Sequence, residues 1–475
     1  MSKPPKADQA GPPSGLSAVS ARWLEQSDAG SRKLKGQYMT PRPIAQALVD
    51  RIPLSPGMRV LDPGVGTGEL LRAVLDREPT AKATGWDIDP GVLTVARELV
   101  PEARLDQRSA LEAEPEADGA IGIHDVVIGN PPYFQLRLDS AGRRRFAGVI
   151  SGRVNIFALF FQVGFEQLRP GGTLAFIVPP SMNSGAYFEA LREFISDRAD
   201  IRDLTILEGT DHFEGANTAA QLLVLESREP ESPVGRKTRG PGHNPTHRDF
   251  VFEREVGEAG FRRVLFTFDR DRMAAEFAGR RTLWELGLEA VTGQVIWNEN
   301  RDRLRDGPGP GRVPLIWSRD IGEGELRPAA SGPGTEGKPG FYDTSAGGKS
   351  PLTGPAIVVN RVVGAVGRGE LRAALVEEGE QFLAENHVNV IRRRSAGITG
   401  GSENAQSWSQ SDPPIEWEGV LASLRAPGVV ERVRLLTGNT QISARELTHL
   451  LPLDCPAGGT VADRPGADQP ISRVR

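Results

Sequence analysis

An open, doubly wound α/β sheet followed by a separate α+β half is the architecture this chain predicts, from three observations. Met58-Arg59-Val60-Leu61-Asp62 is an apolar strand that runs into Pro63-Gly64-Val65-Gly66-Thr67-Gly68 and then a helix, the opening of a βαβ unit. The apolar run Asp125 to Ile128 stops abruptly in Gly129-Asn130-Pro131-Pro132-Tyr133-Phe134. Two adjacent prolines supply no N–H and hold φ near −65°, so a buried strand must end there, with Asn130 at its carboxyl end. Strands and helices then alternate as far as Leu225, after which 229–249 is Pro, Arg, Gly and Ser without periodicity.

Taken in order, 1–15 has little to bury and is expected to be disordered, and Leu16 to Gln26 carries a modest helical pattern. Thr40-Pro41 reads as a helix start, with Thr40 as cap, Pro41 in the first turn and Ile44, Ala47 and Leu48 on one face. Gly64 and Gly66 allow backbone to approach a ligand where a Cβ would obstruct it. A dinucleotide fingerprint would place a third glycine at 69, but that residue is Glu69, which argues against hydride transfer. The strand Ala83 to Ile88 carries Asp87, 25 residues beyond Asp62, where a carboxylate can accept from two ribose hydroxyls. Glycine loop and acid together predict a nucleoside-like cofactor.

Asp89-Pro90 opens a helix to Leu99, Ala103 to Leu111 is a short strand and turn, and Arg137 to Arg153 reads as a solvated loop with Arg143, Arg144 and Arg145. An amphipathic helix from Asn155 to Leu168 should close at Pro170-Gly171-Gly172. The strand Thr173 to Val178, a helix Tyr187 to Ser196 and strands Leu204 to Leu207 and Ala220 to Leu225 complete the sheet. Phe213, between the last two strands, is either a core plug or a ring able to face Tyr133. The expected organisation is a cofactor domain over 16–228, a linker over 229–249, a recognition domain over 250–452 and a disordered tail over 453–475. Trp297, Trp317, Arg303, Arg305 and Arg392-Arg393-Arg394 are the second half's candidate contact groups.

With 475 residues the chain exceeds one ordinary core. Its single cysteine, Cys455, can form no internal disulfide, and six scattered histidines make no metal-binding pair, so no metal is expected. No apolar run reaches the roughly 18 residues of a spanning helix, and Met1 to Ser20 has no signal-type apolar core; a cytoplasmic protein without a membrane partner is expected. A formal charge of −5 argues against indiscriminate coating of nucleic acid.

Asn130-Pro131-Pro132-Tyr133 offers an amide oxygen, a proline-held carbonyl and an aromatic face. These suit a planar ring with an exocyclic amine, whose two hydrogens need two acceptors. A strand-ending turn with Tyr133 in the core is the plain alternative.

Thr40-Pro41, Asp62-Pro63-Gly64-Val65-Gly66-Thr67-Gly68, Asp87 and Asn130-Pro131-Pro132-Tyr133, in that order before a large second half, resemble the gamma-group, TaqI-like adenine-N6 DNA methyltransferases of restriction-modification systems. The resemblance covers about residues 30–226. Thr292-Gly293-Gln294-Val295-Ile296-Trp297-Asn298 and the stretch Thr437 to Leu447 look like the PstI/BsuBI/XamI-type enzymes.

The resemblance implies a Rossmann-like class I methyltransferase sheet with a C-terminal α+β target-recognition domain. It implies S-adenosylmethionine with its carboxylate near Thr40, its body along Asp62, Gly64, Gly66 and Gly68, and its ribose on Asp87. Ser109 stands where the family places an Asp against the cofactor's adenine. Asn130 and Pro131 would accept the N6 hydrogens of a flipped adenine, with Tyr133 and Phe213 stacking on it. The implied partners are double-stranded DNA with a short specific site and a cognate restriction endonuclease, the enzyme acting as a monomer. Rival readings are an RNA or protein-glutamine methyltransferase, which could use the same acceptors, and an idle DNA-binding subunit on the same fold.

Overall fold

The computed structural model describes residues 15–28, 30, 32, 36–113, 122–207, 213, 219–228, 250–256, 261–322, 324–326, 338–345, 347–361, 370–394, 415–437 and 442–455. The linker 229–249 and most of 208–218 lie outside them. Two compact units form, one of Met1–Glu255 with Arg262–Met273, the other of Val256–Phe261 with Ala274–Arg475. The division thus falls beyond the 229–249 stretch.

In the first unit the elements are α1 (Ala18–Gln26), α2 (Arg42–Val49), β1 (Arg59–Asp62), α3 (Glu69–Arg77), β2 (Lys82–Asp87), α4 (Pro90–Leu99), β3 (Arg104–Gln107) and β4 (His124–Gly129). There follow α5 (Ser140–Arg145), α6 (Ile156–Gln167), β5 (Leu168–Val178), α7 (Glu189–Arg198), β6 (Ala199–Ile206) and β7 (Gln221–Ser227). One seven-stranded sheet results, in the order β3-β2-β1-β4-β5-β7-β6. Strands β3 to β5 are mutually parallel, and β7 enters antiparallel between β5 and β6.

The middle of the sheet is covered on both faces, so Val126-Val127-Ile128 and Leu174 to Val178 are apolar without alternation and at most 1% exposed. Phe157, Phe161 and Leu191 from α6 and α7 cover one face; Leu48, Leu71, Val74 and Leu93 from α2, α3 and α4 cover the other. Phe176 is fully buried with its ring centroid 5.1 Å from that of Phe161. We expect Phe176→Ala to cost about 3–5 kcal/mol, because the cavity it leaves adds to the lost transfer energy; chemical denaturation measures it.

Strand order reverses at β1, which has β2 on one side and β4 on the other. Asp62 ends β1 and Gly129 ends β4, so the crevice at the switch point opens between Asp62 and Asn130.

Several elements depart from expectation. The arginine run is a short helix, because the Asp139 carboxylate accepts from the Gly142 N–H at 2.7 Å and caps it. Strand β5 starts at Leu168, and Pro170-Gly171-Gly172 lies inside it: His124 pairs Leu168 but Val126 pairs Thr173, an irregularity that Gly171 absorbs at φ +67°. Helix α7 begins at Glu189 after a 3₁₀ turn, and β6 begins at Ala199.

In the second unit, the strands Leu288–Thr292, Val388–Arg393, Ala356–Asn360 and Ala373–Val376 form a four-stranded sheet in that order. Leu304–Arg305, Phe341–Asp343, Arg312–Ile316, Gln381–Ala384 and Leu352–Thr353 form a five-stranded one. The helices Trp417–Arg425, Val429–Thr437 and Ala444–His449 follow. The expected tail is ordered at its start: Leu453 is fully buried and exchanges backbone hydrogen bonds with Arg281. Among the described residues no helix is long and apolar enough to cross a membrane.

Candidate active site

The glycine loop is held by β2. Val65 N–H donates to the Trp86 carbonyl at 2.9 Å, and Gly66 N–H donates to the Asp87 carboxylate at 3.1 Å. Gly66 (φ +54°) and Gly68 (φ +92°) take backbone angles that L side chains rarely adopt. The second Asp87 oxygen accepts from Asp89 N–H at 2.9 Å. Asp89 in turn accepts from the Gln37 amide at 3.1 Å. Asp87 therefore fixes the loop and still has lone pairs to offer at the strand end. Burial raises its pKa.

Asp62 is 1% exposed and accepts from Gly64 N–H at 3.0 Å. Burial first, then the charge of Asp87, pushes its pKa up to about 7, although the Gly64 N–H opposes the shift.

Asn130 stands across the crevice. Its amide nitrogen donates to Thr40 Oγ1 at 3.1 Å and to the Tyr38 carbonyl at 3.4 Å, while its oxygen accepts from Tyr133 OH at 2.8 Å. Both amide hydrogens are thus taken up on the Thr40 side, which settles which end of the side chain is the acceptor. Tyr133 OH has a second acceptor, the Ile177 carbonyl, also at 2.8 Å, so its proton can leave Asn130 without losing a partner. The Tyr133 ring packs edge-on against Phe157 at 6.1 Å between centroids, and burial raises the phenol pKa. Pro131 is buried beside it.

Thr40 does not cap α2. Pro41 occupies the cap position without a side-chain bond, and the Thr40 hydroxyl is turned to Asn130 instead. Phe213 is 3% exposed within the apolar cluster of Leu48 and Ile177, whereas Tyr133 packs on the other cluster with Phe157. That is the core-plug position. Ser109 is half-buried ahead of the 3₁₀ turn Ala110–Glu112 and does not cap it with its side chain. Tyr38, Thr40, Asp62, Gly64, Gly66 and Asn130 line one cleft; Asp87 holds its loop through the Gly66 N–H, and Gly68 stands at the cap of α3.

Three residues near the cleft were given no binding role from the sequence. Ile88, directly after Asp87, is 65% exposed, an apolar surface at the strand exit suited to a flat ring. Gln37 ties the segment before α2 to Asp89. Glu69, at the position where a dinucleotide fingerprint would have glycine, is 3% exposed and lines the cleft. An acid immediately after a glycine loop was the available signal.

Of the second unit's candidate contact groups, Trp317 is core, 2% exposed, its indole N–H donating to the Pro339 carbonyl at 2.8 Å. Arg303 is engaged with the Asp343 and Ser345 carbonyls, Arg305 with the Asp343 carboxylate and Arg392 with Glu289. Arg394 stacks on Trp284 at 3.9 Å. Trp297 differs: it is 40% exposed, with the Arg301 guanidinium 4.7 Å from its ring centroid.

A parallel sheet with a single antiparallel strand next to its last position, a glycine loop after β1 and an acid at the end of β2 define the class I S-adenosylmethionine-dependent methyltransferase fold. The cofactor of that fold is S-adenosylmethionine, and the chemistry of the cleft's described lining suits a cation: it includes Asp62 and Glu69 with no basic residue, and Gly64 and Gly66 present no Cβ there.

The profile of the family described as Eco57I restriction-modification methylase matches residues 97–213. Modification methylase CviBIII of Paramecium bursaria Chlorella virus NC1A is 26% identical over 230 residues, 48% of this chain and 56% of that protein. Type II methyltransferase M.BsuBI of Bacillus subtilis is 25% identical over 323 residues, 59% of this chain and 62% of that protein. A release factor glutamine methyltransferase of Caulobacter vibrioides is 38% identical, but over 103 residues, 20% of this chain and 35% of that one. The chain thus spans little more than half the length of the first of these relatives.

Proposed function

We propose that this chain is a restriction-modification methyltransferase that transfers a methyl group from S-adenosylmethionine to N6 of an adenine flipped out of duplex DNA. On this reading it marks a short site against a partner restriction endonuclease. The observation that carries the proposal is the fixed direction of the Asn130 amide, whose oxygen is presented as an acceptor at the sheet's switch point. The family match over 97–213 and the likeness to type II methyltransferases support it.

When bound, the cofactor supplies an electrophilic methyl on its sulfonium. The chain's residues do the rest. The N6 lone pair of adenine is delocalised into the ring, and accepting both amine hydrogens, on Asn130 Oδ1 and the Pro131 carbonyl, localises it for attack. Tyr133 releases Asn130 by donating to Ile177, and its ring serves as the stacking platform that offsets part of the few kcal/mol cost of flipping. Positioning and electrostatic complementarity would provide the acceleration without a covalent intermediate; as the methyl leaves the sulfonium for N6, the sulfur keeps the electron pair of the broken bond and the proton that N6 loses passes to water. Ile88 offers an apolar face to the cofactor's adenine.

A tritiated methyl donor with DNA, RNA and protein substrates tests the proposal. Label in DNA, located at adenine by modified-base sequencing, supports it; label confined to RNA or to a protein glutamine overturns it.

The raised pKa of Asp62 makes cofactor binding pH-dependent. A cationic ligand favours the ionised carboxylate, so affinity should rise as pH increases through about 7 and level off above. Calorimetry at about pH 6 and about pH 8 should show tighter binding at the higher value, with the difference reduced in Asp62→Asn. An equal constant at both would contradict it.

Among the second unit's described residues, the exposed large apolar side chains are the neighbours Ile296 and Trp297. Asn300 holds their turn by donating to the Ile296 carbonyl at 2.8 Å. Trp297→Ala should weaken duplex binding about fivefold to a hundredfold, the range for losing a stacked aromatic. Wild-type affinity should also fall steeply with salt, because phosphate contacts release counterions. Fluorescence anisotropy at several ionic strengths measures both; a flat salt response would speak against DNA as substrate.

A further inference from the structure

A two-residue antiparallel ribbon stands directly beyond the Asn130 turn. Gln135 pairs with Asn155 and Leu136 with Val154, and the Ile156 N–H donates to the Phe134 carbonyl at 3.0 Å. Residues 137–153 therefore leave and re-enter at one place, and the register brings Arg137 and Arg153 to the same end of the ribbon. Arg137 follows Asn130 by seven positions, so the chain holds it within at most about 25 Å of the turn. One turn of a DNA duplex, about 34 Å, is longer than that.

Both arginines are exposed, and neither side chain makes a hydrogen bond or ion pair among the described residues. Arg145, in the same excursion, shows the alternative by pairing with Glu166 at 3.0 Å. Asp139, the acid nearest to Arg137 in sequence, is occupied by the Gly142 N–H at 2.7 Å. Like charges on neighbouring ends of a ribbon repel, and an anion lying across them removes the cost. A guanidinium fork matches a phosphate with two hydrogen bonds, and a polyanion can satisfy two forks at once. Tyr187 adds a polar tip to this face: its ring is 52% exposed, its edge is 3.6 Å from where a Cβ would stand at Gly152, and its hydroxyl is of the kind that donates to phosphate oxygens.

We propose that Arg137 and Arg153 grip backbone phosphates of the duplex beside the nucleotide presented to Asn130, so that the cofactor domain carries its own sequence-independent clamp. This rests on the DNA methyltransferase reading and adds a contact surface in the first unit to the candidate groups of the second. A flipped nucleotide turns about its own backbone, so fixing the adjacent phosphates is what holds it out of the stack.

The test uses a duplex fragment that wild type methylates, with fluorescence anisotropy read between about 50 and 200 mM salt. Arg137→Gln and Arg153→Gln should each weaken binding about fivefold to tenfold at about 0.1 M salt and make the logarithmic salt slope shallower by about one, the double variant by about two. Arg137→Lys and Arg153→Lys should keep most of the slope, because a point charge still neutralises a phosphate. Arg97→Gln removes the same charge from the last turn of α4, which begins beside Asp87 and runs back from the strand ends; it should match wild type in affinity and slope. Calorimetry should find S-adenosylmethionine binding unchanged in the double variant, since neither arginine is among the cleft's described lining. A wild-type slope in the double variant overturns the clamp. An equal change in Arg97→Gln also overturns it, because net charge alone would then explain the effect, and so does weakened cofactor binding in the double variant, which would mean a distorted cleft. Wild type that methylates RNA or protein but no DNA removes the DNA reading and the clamp with it; wild type that methylates DNA while the double variant keeps its slope removes the clamp alone.

Discussion

Asn130→Ala should lower methyl transfer roughly 100- to 1,000-fold while the protein still folds and binds its cofactor. On the proposed mechanism the loss is large because the acceptor would act where charge changes in the transition state, and water in the vacated space is not preorganised. Its structural cost is small. The side chain donates to Thr40 and Tyr38 at the cleft wall, so removing it forfeits about 1 kcal/mol of hydrogen bonding in a region that keeps the rest of its packing. Single-turnover transfer of tritiated methyl to DNA, with cofactor binding measured alongside, checks both parts. A variant that turns over near the wild-type rate would refute the acceptor role, and one that loses cofactor binding as well would place Asn130 in the scaffold.

Asp87→Ala should weaken S-adenosylmethionine binding about 10- to 100-fold, the worth of one or two charged hydrogen bonds to the ribose. The structure adds a second reason for a large effect. Both carboxylate oxygens also hold backbone amides, of Gly66 and Asp89, so alanine loosens the glycine loop at the same time. Asp87→Asn separates the two contributions: it retains one acceptor and should fall between wild type and alanine. Calorimetric constants equal to wild type in Asp87→Ala would dismiss the ribose assignment.

The sheet was legible in the sequence because its middle strands are buried on both faces. Val126-Val127-Ile128 and the run to Val178 are apolar without alternation, and the glycine loop and the Pro131-Pro132 stop mark where two of those strands must end. Strand and helix starts were less legible where tertiary pairing overrode local chemistry. Pro170-Gly171-Gly172 has every local mark of a turn, yet pairing with β4 carries β5 through it with an irregularity. Arg143 to Arg145 look solvated, yet a single Asp139 cap makes them helical.

Asn130, Thr40, Asp62 and Asp87 could each be named from motif and spacing, because a residue type at a strand end or after a glycine loop has few uses there. What each side chain does was decided only by the fold. Thr40 looked like a helix cap until the structure put its hydroxyl 3.1 Å from the Asn130 nitrogen, 90 positions away. Phe213 could be core or contact, and burial in the cluster of Leu48 and Ile177 shows its core packing. Glu69 was visible merely as a missing glycine; only the fold shows one of its carboxylate oxygens accepting from the Ser17 N–H, 52 positions earlier. Sequence by itself determined the strand ends and the residue types standing on them, since backbone sterics and burial are local demands. The direction of each amide, hydroxyl and carboxylate depends on partners distant in the chain, and tertiary structure alone decided it.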